Sequence, residues 1–198
     1  MGYSRAGFDE IVGVDIKPQP HYPFAFVQAD ALEYVAEHGH EFDAIHASPP
    51  CQGYSSMRNL PWLREKEYPL LIDPVRALLE ATGKPWVIEN VMGAKLPAGW
   101  LCGTMFDLPF YRHRYFETPF FWLAPGHAQH FHLGSRARTI TWQSELTRAN
   151  TIAHAPVAVY RAAAVAMDID WMTQEELSQA IPPAYTEYVG QGLLHALS

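Results

Sequence analysis

Strand-like runs alternate with helix-like runs along most of this chain, and few folds accommodate that order. Ile11-Val12-Gly13-Val14-Asp15-Ile16 and Phe24-Ala25-Phe26-Val27-Gln28 are short apolar runs, each closing near an acid, Asp15 or Asp30. Ala31 to His38 follows as a helix with Asp30 as its N-cap, a residue whose side-chain oxygen satisfies orphan amides. Phe42 to Ala47 is a third buried strand. Pro69 to Thr82 sets Leu70, Leu71, Val75, Leu78 and Leu79 at helical spacing before Gly83 stops the run. Trp86 to Val91 and Tyr115 to Thr118 read as further strands. Ala155 to Met167 and Pro182 to Leu197 return as helices, with Pro182 and Pro183 suited to a first turn. Strands alternating with helices predict an α/β protein built on a mostly parallel, Rossmann-like sheet. From 119 to 152 the pattern dissolves into aromatic, His and Arg residues. That segment is read as a short irregular insertion in a single domain formed by 1–118 and 153–198.

The stretch Ser48-Pro49-Pro50-Cys51-Gln52-Gly53-Tyr54-Ser55 follows the third strand and is built to present one thiol. Two prolines end the strand and stiffen the backbone ahead of Cys51. Gly53 and the serines around Tyr54 predict a mobile loop after it. A cysteine at a strand's carboxyl end lies where open α/β sheets place their chemistry. A buried structural cysteine is the competing role, and the context favours a nucleophile.

With only Cys51 and Cys102 among 198 residues, a disulfide framework is not expected, and a reducing cytoplasm fits best. No run approaches the roughly 18 apolar residues that span a bilayer, so no membrane association is expected. The first residues lack the basic-then-apolar pattern of a signal peptide. A formal net charge of -7 argues against a generic nucleic-acid coat. It leaves room for DNA bound on a local basic face, because phosphate contacts act within about 8–10 Å in physiological salt.

Three more motifs join the cysteine. Glu89-Asn90-Val91 puts a carboxylate at the end of the next strand. Leu101-Cys102-Gly103-Thr104-Met105-Phe106 leads into Tyr111-Arg112-His113-Arg114-Tyr115-Phe116. Near the end stand Gln179-Ala180-Ile181-Pro182-Pro183 and a helix. In this order and at these spacings they resemble the DNA cytosine-5 methyltransferases, over nearly the whole chain outside the insertion.

The resemblance implies a Rossmann-like S-adenosylmethionine-dependent methyltransferase sheet, double-stranded DNA as partner, and methyl transfer from S-adenosylmethionine to C5 of cytosine. Cys51 would add to C6 of the base as a thiolate, the reactive form. Glu89 would hydrogen-bond N3 and the exocyclic amine. Arg114 would donate to O2, with Arg112 supporting the loop or a phosphate. Asp15 and Asp30 match the acids for the cofactor's ribose hydroxyls and adenine amine, their competing role being turn or helix capping. Ile16, Ala31, Pro50, Ala180 and Ile181 complete the expected cofactor contacts. Gln52 and Ser55 would meet DNA. Arg136, Arg138 and Arg148, near Trp142, form a basic patch in the insertion, the family's target-recognition segment. A solvated loop of mixed charge is the competing reading.

His127, His130 and His132 suggest a metal, but no fourth ligand is evident from spacing, and no metal is expected. Buried packing is the expected role of Cys102. The opening Met1-Gly2-Tyr3-Ser4-Arg5-Ala6-Gly7-Phe8 resembles the helix after the family's glycine-rich cofactor loop, so that loop and the strand before it are expected to be missing. Ser178-Gln179 stand where Gly-Asn is usual, and Phe110 replaces the glutamine of Gln-x-Arg-x-Arg. A catalytically impaired DNA-binding relative, a related C5 modification with another donor, and action on RNA are the alternatives. Sequence fixes neither the recognition site nor the oligomeric state.

Overall fold

In the computed structural model, residues 1–55, 67–97, 99–127, 130 and 157–198 are described. Helix α1 (Gly2–Ala6) precedes β1 (Val12–Asp15), β2 (Ala25–Gln28) and α2 (Ala31–His38). After β3 (Ile45–Ala47) come α3 (Ile72–Thr82), β4 (Trp86–Asn90), β5 (Gly99–Leu101) and β6 (Arg114–Glu117). Helices α4 (Val157–Met167), α5 (Gln174–Gln179) and α6 (Pro183–Leu197) follow.

The chain is a mixed α/β protein with two sheets among the described residues. β1 and β2 form a parallel pair in the register Val12↔Ala25 to Asp15↔Gln28. The second sheet runs β3-β4-β6-β5. β3 and β4 are parallel there, while β6 is antiparallel to both β4 and β5. The expected mostly parallel sheet is therefore corrected on two counts: the larger sheet is mixed, and the strands are divided between two sheets. The reason lies in the connection. β5 returns through only residues 102–113 into β6, without a crossover helix, so the two strands must run in opposite directions.

Alternation along β4 determines the layering, since neighbouring side chains on a strand point to opposite faces. Trp86 and Ile88 pack on Ile72, Val75 and Leu79 of α3, with Leu32 and Val35 of α2 alongside. Val87 faces the other way and joins Leu101, Phe116, and Tyr185, Val189 and Leu193 of α6. Every residue of β4 is buried. Fully burying side chains such as Val87 and Ile88 contributes about 1.5–3 kcal/mol each, which makes β4 the stable spine of the molecule. A third cluster joins Val159, Ala163 and Met167 of α4 to Leu177 of α5, and Phe110 fills it. Arg76 of α3 reaches β6 by a bidentate pair with buried Glu117, at 2.6 and 2.8 Å.

Helix α1 lies against α6. A Cβ on Gly2 would overlap Thr186 and the backbone of Pro183, so only glycine permits that approach. Among the described residues, no helix is long and apolar enough to cross a membrane.

Candidate active site

The turn after β3 is tied down from two sides. The amides of Tyr54 and Ser55 donate to the carbonyl of Cys51 at 3.0 and 2.9 Å. Buried Asn90, at the end of β4, donates its Nδ2 to the Pro49 carbonyl at 2.9 Å. The Tyr54 hydroxyl accepts from the amide of Ile72 at 3.1 Å, joining the turn to the start of α3. These bonds tie Tyr54 and Ser55, the start of the loop after Cys51, back to the turn. Cys51 is a free, partly exposed cysteine, and Pro50 and Gln52 beside it are exposed.

Glu89 stands one residue before Asn90 on β4 and is 6% exposed. Arg114, the first residue of the antiparallel neighbour β6, donates Nε to its Oε1 at 2.9 Å. Burial pushes the Glu89 carboxyl above the ordinary carboxylate range, against the opposing pull of Arg114, a Ser48 hydrogen bond and Arg112. Behind Ser48 a relay continues. Its hydroxyl meets His46 Nε2 at 2.9 Å, and His46 Nδ1 meets the Tyr3 hydroxyl from α1. His46 retains some solvent contact, yet desolvation of its ring lowers its pKa to about 4. Tyr3 is raised by burial first and by Glu89 second. Both groups are therefore neutral at pH 7. Sequence reasoning missed Ser48, His46 and Tyr3; the signal available was two polar residues at i and i+2 on the end of an apolar strand.

Arg112 is partly buried, and its pKa is brought down to about 10 by burial and then Arg114, with Glu89, Tyr185 and Cys51 opposing. Its Nη2 donates to the Ser178 carbonyl at 2.6 Å, and the Arg112 carbonyl accepts from the Tyr185 hydroxyl at 2.6 Å. Its Nε is buried without a hydrogen-bond partner. Of the two roles expected for Arg112, loop support is what these bonds perform. Cys51, Glu89, Arg112 and Arg114 thus gather at the carboxyl ends of β3 and β4.

Asp15 is the last residue of β1, and Asp30 lies two residues beyond the end of the adjacent β2. Asp15 accepts from the Lys17 amide at 2.8 Å and from Gln19 Nε2 at 3.1 Å. Asp30 caps α2, its Oδ1 accepting from the amides of Leu32 and Glu33. Both acids make the turn and cap bonds foreseen as their competing roles. Ile16 is 65% exposed beside them, and Ala31 opens α2. Ala180 and Ile181, between α5 and α6, are partly buried and pack on the third and second core clusters respectively. Acceptor oxygens at Asp15 and Asp30 beside the exposed Ile16 side chain have the chemistry that a nucleoside requires. Ser55 belongs to the Cys51 turn. Arg136, Arg138, Arg148 and His132 lie outside the described residues.

Sequence spacing left His127 and His130 short of ligands, and the fold supplies two more. Cys102 and His113 join them, with one ligand atom from each residue lying within 4.8 Å of the others.

Comparison with known proteins adds an independent line. Residues 17–98 match the family model described as C-5 cytosine-specific DNA methylase. That span contains Asp30, Cys51 and Glu89. The Type II methyltransferase M.FnuDI of Fusobacterium nucleatum is 26% identical over 99 residues, covering 47% of this chain and 29% of that protein. The chain therefore spans less than a third of the length of that relative. No solved structure gives a significant match.

Proposed function

We propose that this chain is a C-5 cytosine-specific DNA methylase, the family that its residues 17–98 match, and that it methylates C5 of cytosine in DNA through a transient Cys51–C6 bond. One observation carries the reading: a partly exposed cysteine on a braced turn shares its strand ends with a buried glutamate paired to arginine. Cytosine C5 is a weak nucleophile. Addition of the Cys51 thiolate at C6 moves an electron pair to C5, which can then bond an electrophilic methyl group. S-adenosylmethionine supplies that methyl when bound, and Asp15, Ile16 and Asp30 are the residues that would hold its adenosyl portion.

Glu89 answers the charge that develops on the ring. Its raised pKa favours a protonated carboxyl, which donates to N3 as the thiolate adds. Arg114 holds that carboxyl in place and offers donors for O2. Loss of the C5 proton to solvent and return of the N3 proton to Glu89 then break the Cys51–C6 bond, restoring the aromatic ring, the acid and the thiolate. The chemistry takes place on a base swung out of the duplex, since C6 cannot be reached inside the stack.

Trapping tests the covalent step. Fluorine at C5 cannot leave as the proton does, so DNA carrying 5-fluorocytosine should remain attached through Cys51 in the presence of S-adenosylmethionine. Wild-type protein is expected to form a denaturation-stable adduct, and Cys51→Ser none. An adduct on Cys51→Ser would assign the nucleophile elsewhere.

A further inference from the structure

The pair of the β5–β6 hairpin nearest its connecting loop is Leu101↔Arg114. One step outward in the same register, Cys102 stands opposite His113, so hairpin pairing itself brings a thiol and an imidazole together. The chain leaving β6 then returns His127 and His130 to the same place. The Nε2 atoms of His127 and His130 are 2.8 Å apart, and His130 Nε2 is 3.2 Å from the Cys102 sulfur. All four residues contribute a ligand atom to a group no more than 4.8 Å across. Tetrahedral zinc with bonds of about 2.0–2.1 Å to nitrogen and 2.3 Å to sulfur has ligand edges of roughly 3.3–3.6 Å. Only small shifts separate this cluster from that geometry.

The surroundings hold the rings in place. Tyr111 stacks on His130 with centroids 3.7 Å apart and planes 6° from parallel. Trp100 packs near both His113 and His127, at 5.3 and 4.8 Å between centroids. His113 also hydrogen-bonds the backbone of Tyr111, the kind of outer partner that orients a ligating histidine. Cys102 is fully buried, Tyr111, His113 and His130 are partly so, and His127 closes the cluster from the exposed side.

We propose that Cys102, His113, His127 and His130 form a structural zinc site that clamps the loop end of the β5–β6 hairpin to the chain entering the insertion. Three imidazoles and one thiolate suit Zn²⁺, and four protein ligands close the coordination sphere, as structural sites do. Binding releases the Cys102 thiol proton to solvent, the imidazoles coordinate through lone pairs, and no electron is transferred. His113 lies between Arg112 and Arg114. The ion therefore fixes the backbone from which both arginines reach the active site.

Metal content of the untagged chain, dialysed against metal-free buffer, tests the site. About one zinc per chain is expected. Replacement by Co²⁺ should give the visible bands of a tetrahedral ion and a near-ultraviolet thiolate-to-cobalt charge-transfer band. The chain has two cysteines, so the thiolate band can be assigned: Cys51→Ser should retain it and Cys102→Ser should lose it. His127→Ala should lose most of its zinc, and His195→Ala, on α6, should keep it. Wild-type protein without zinc, or a thiolate band surviving in Cys102→Ser, would overturn the proposal. If the ligand variants do not fold, wild-type stoichiometry and the cobalt spectra of wild type and Cys51→Ser decide it.

Discussion

Glu89 concentrates opposing demands in one side chain. Burial favours its acid form, while Arg114 at 2.9 Å favours the carboxylate, and burial wins. A carboxyl whose pKa is raised by folding favours the folded state fully only below its unfolded pKa. That contribution is lost as pH rises through the raised, folded value. Activity that needs a proton on Glu89 should follow the same limb, so kcat/KM should fall as pH rises through the raised pKa. Glu89→Gln should remove this limb from the pH profile and lower kcat by roughly 10²–10⁴-fold, the usual worth of a positioned acid. Its stability in urea, relative to wild type, should improve as pH rises through the same range. An unchanged pH profile in Glu89→Gln would remove Glu89 from proton transfer. At this scale the sequence was legible where residues belong to compact motifs, as Cys51, Glu89 and Arg114 do. It was silent on the Tyr3–His46 bond, which joins residues 43 positions apart and leaves no local spacing signal.

Elements matter here mainly through how they brace the Cys51 turn. The short 3₁₀ turn Met92–Ala94 after β4 passes so close to that turn that a Cβ on Gly93 would overlap the carbonyl oxygen of Tyr54. The obstacle is backbone, so the Cys51 turn itself has to move. Gly93→Ala should cost about 1–3 kcal/mol, typical of overpacking, and slow 5-fluorocytosine trapping more than it lowers the melting temperature would account for. Trapping at the wild-type rate would show that the turn tolerates the displacement. Helix α2 was legible to its ends because Asp30 caps it and an apolar face repeats along it. The short elements were not. β5 has three residues, too few to show alternation. α5 has six and one buried side chain, Leu177, too few for a helical face to show. Strand direction in β6 escaped entirely, since alternation reads the same in either sense.

Across the whole molecule, charge sets the terms of DNA approach. A net charge of -7 repels a phosphate backbone at long range, so binding has to come from local cations that outweigh it within a Debye length of about 8–10 Å. Arg112 is partly buried and bonded to Ser178, and Arg114 is paired with Glu89, so both are already committed within the fold. Arg76 is likewise committed to Glu117 and Asp73. Outside the described residues, Arg136, Arg138 and Arg148 are the cations that sequence marks for this task. If each contacts a phosphate, each alanine substitution should weaken binding to cognate and scrambled duplexes alike. It should also reduce the slope of log affinity against log salt by about 0.9. If one reads a guanine edge instead, its loss should relax preference at a single position, at a cost of roughly 1–3 kcal/mol. Salt titrations of the three variants on both duplexes separate these outcomes. Unchanged affinity and slope in all three would remove the insertion's arginines from the DNA interface, and an acidic chain would then need a partner of opposite charge to hold its substrate.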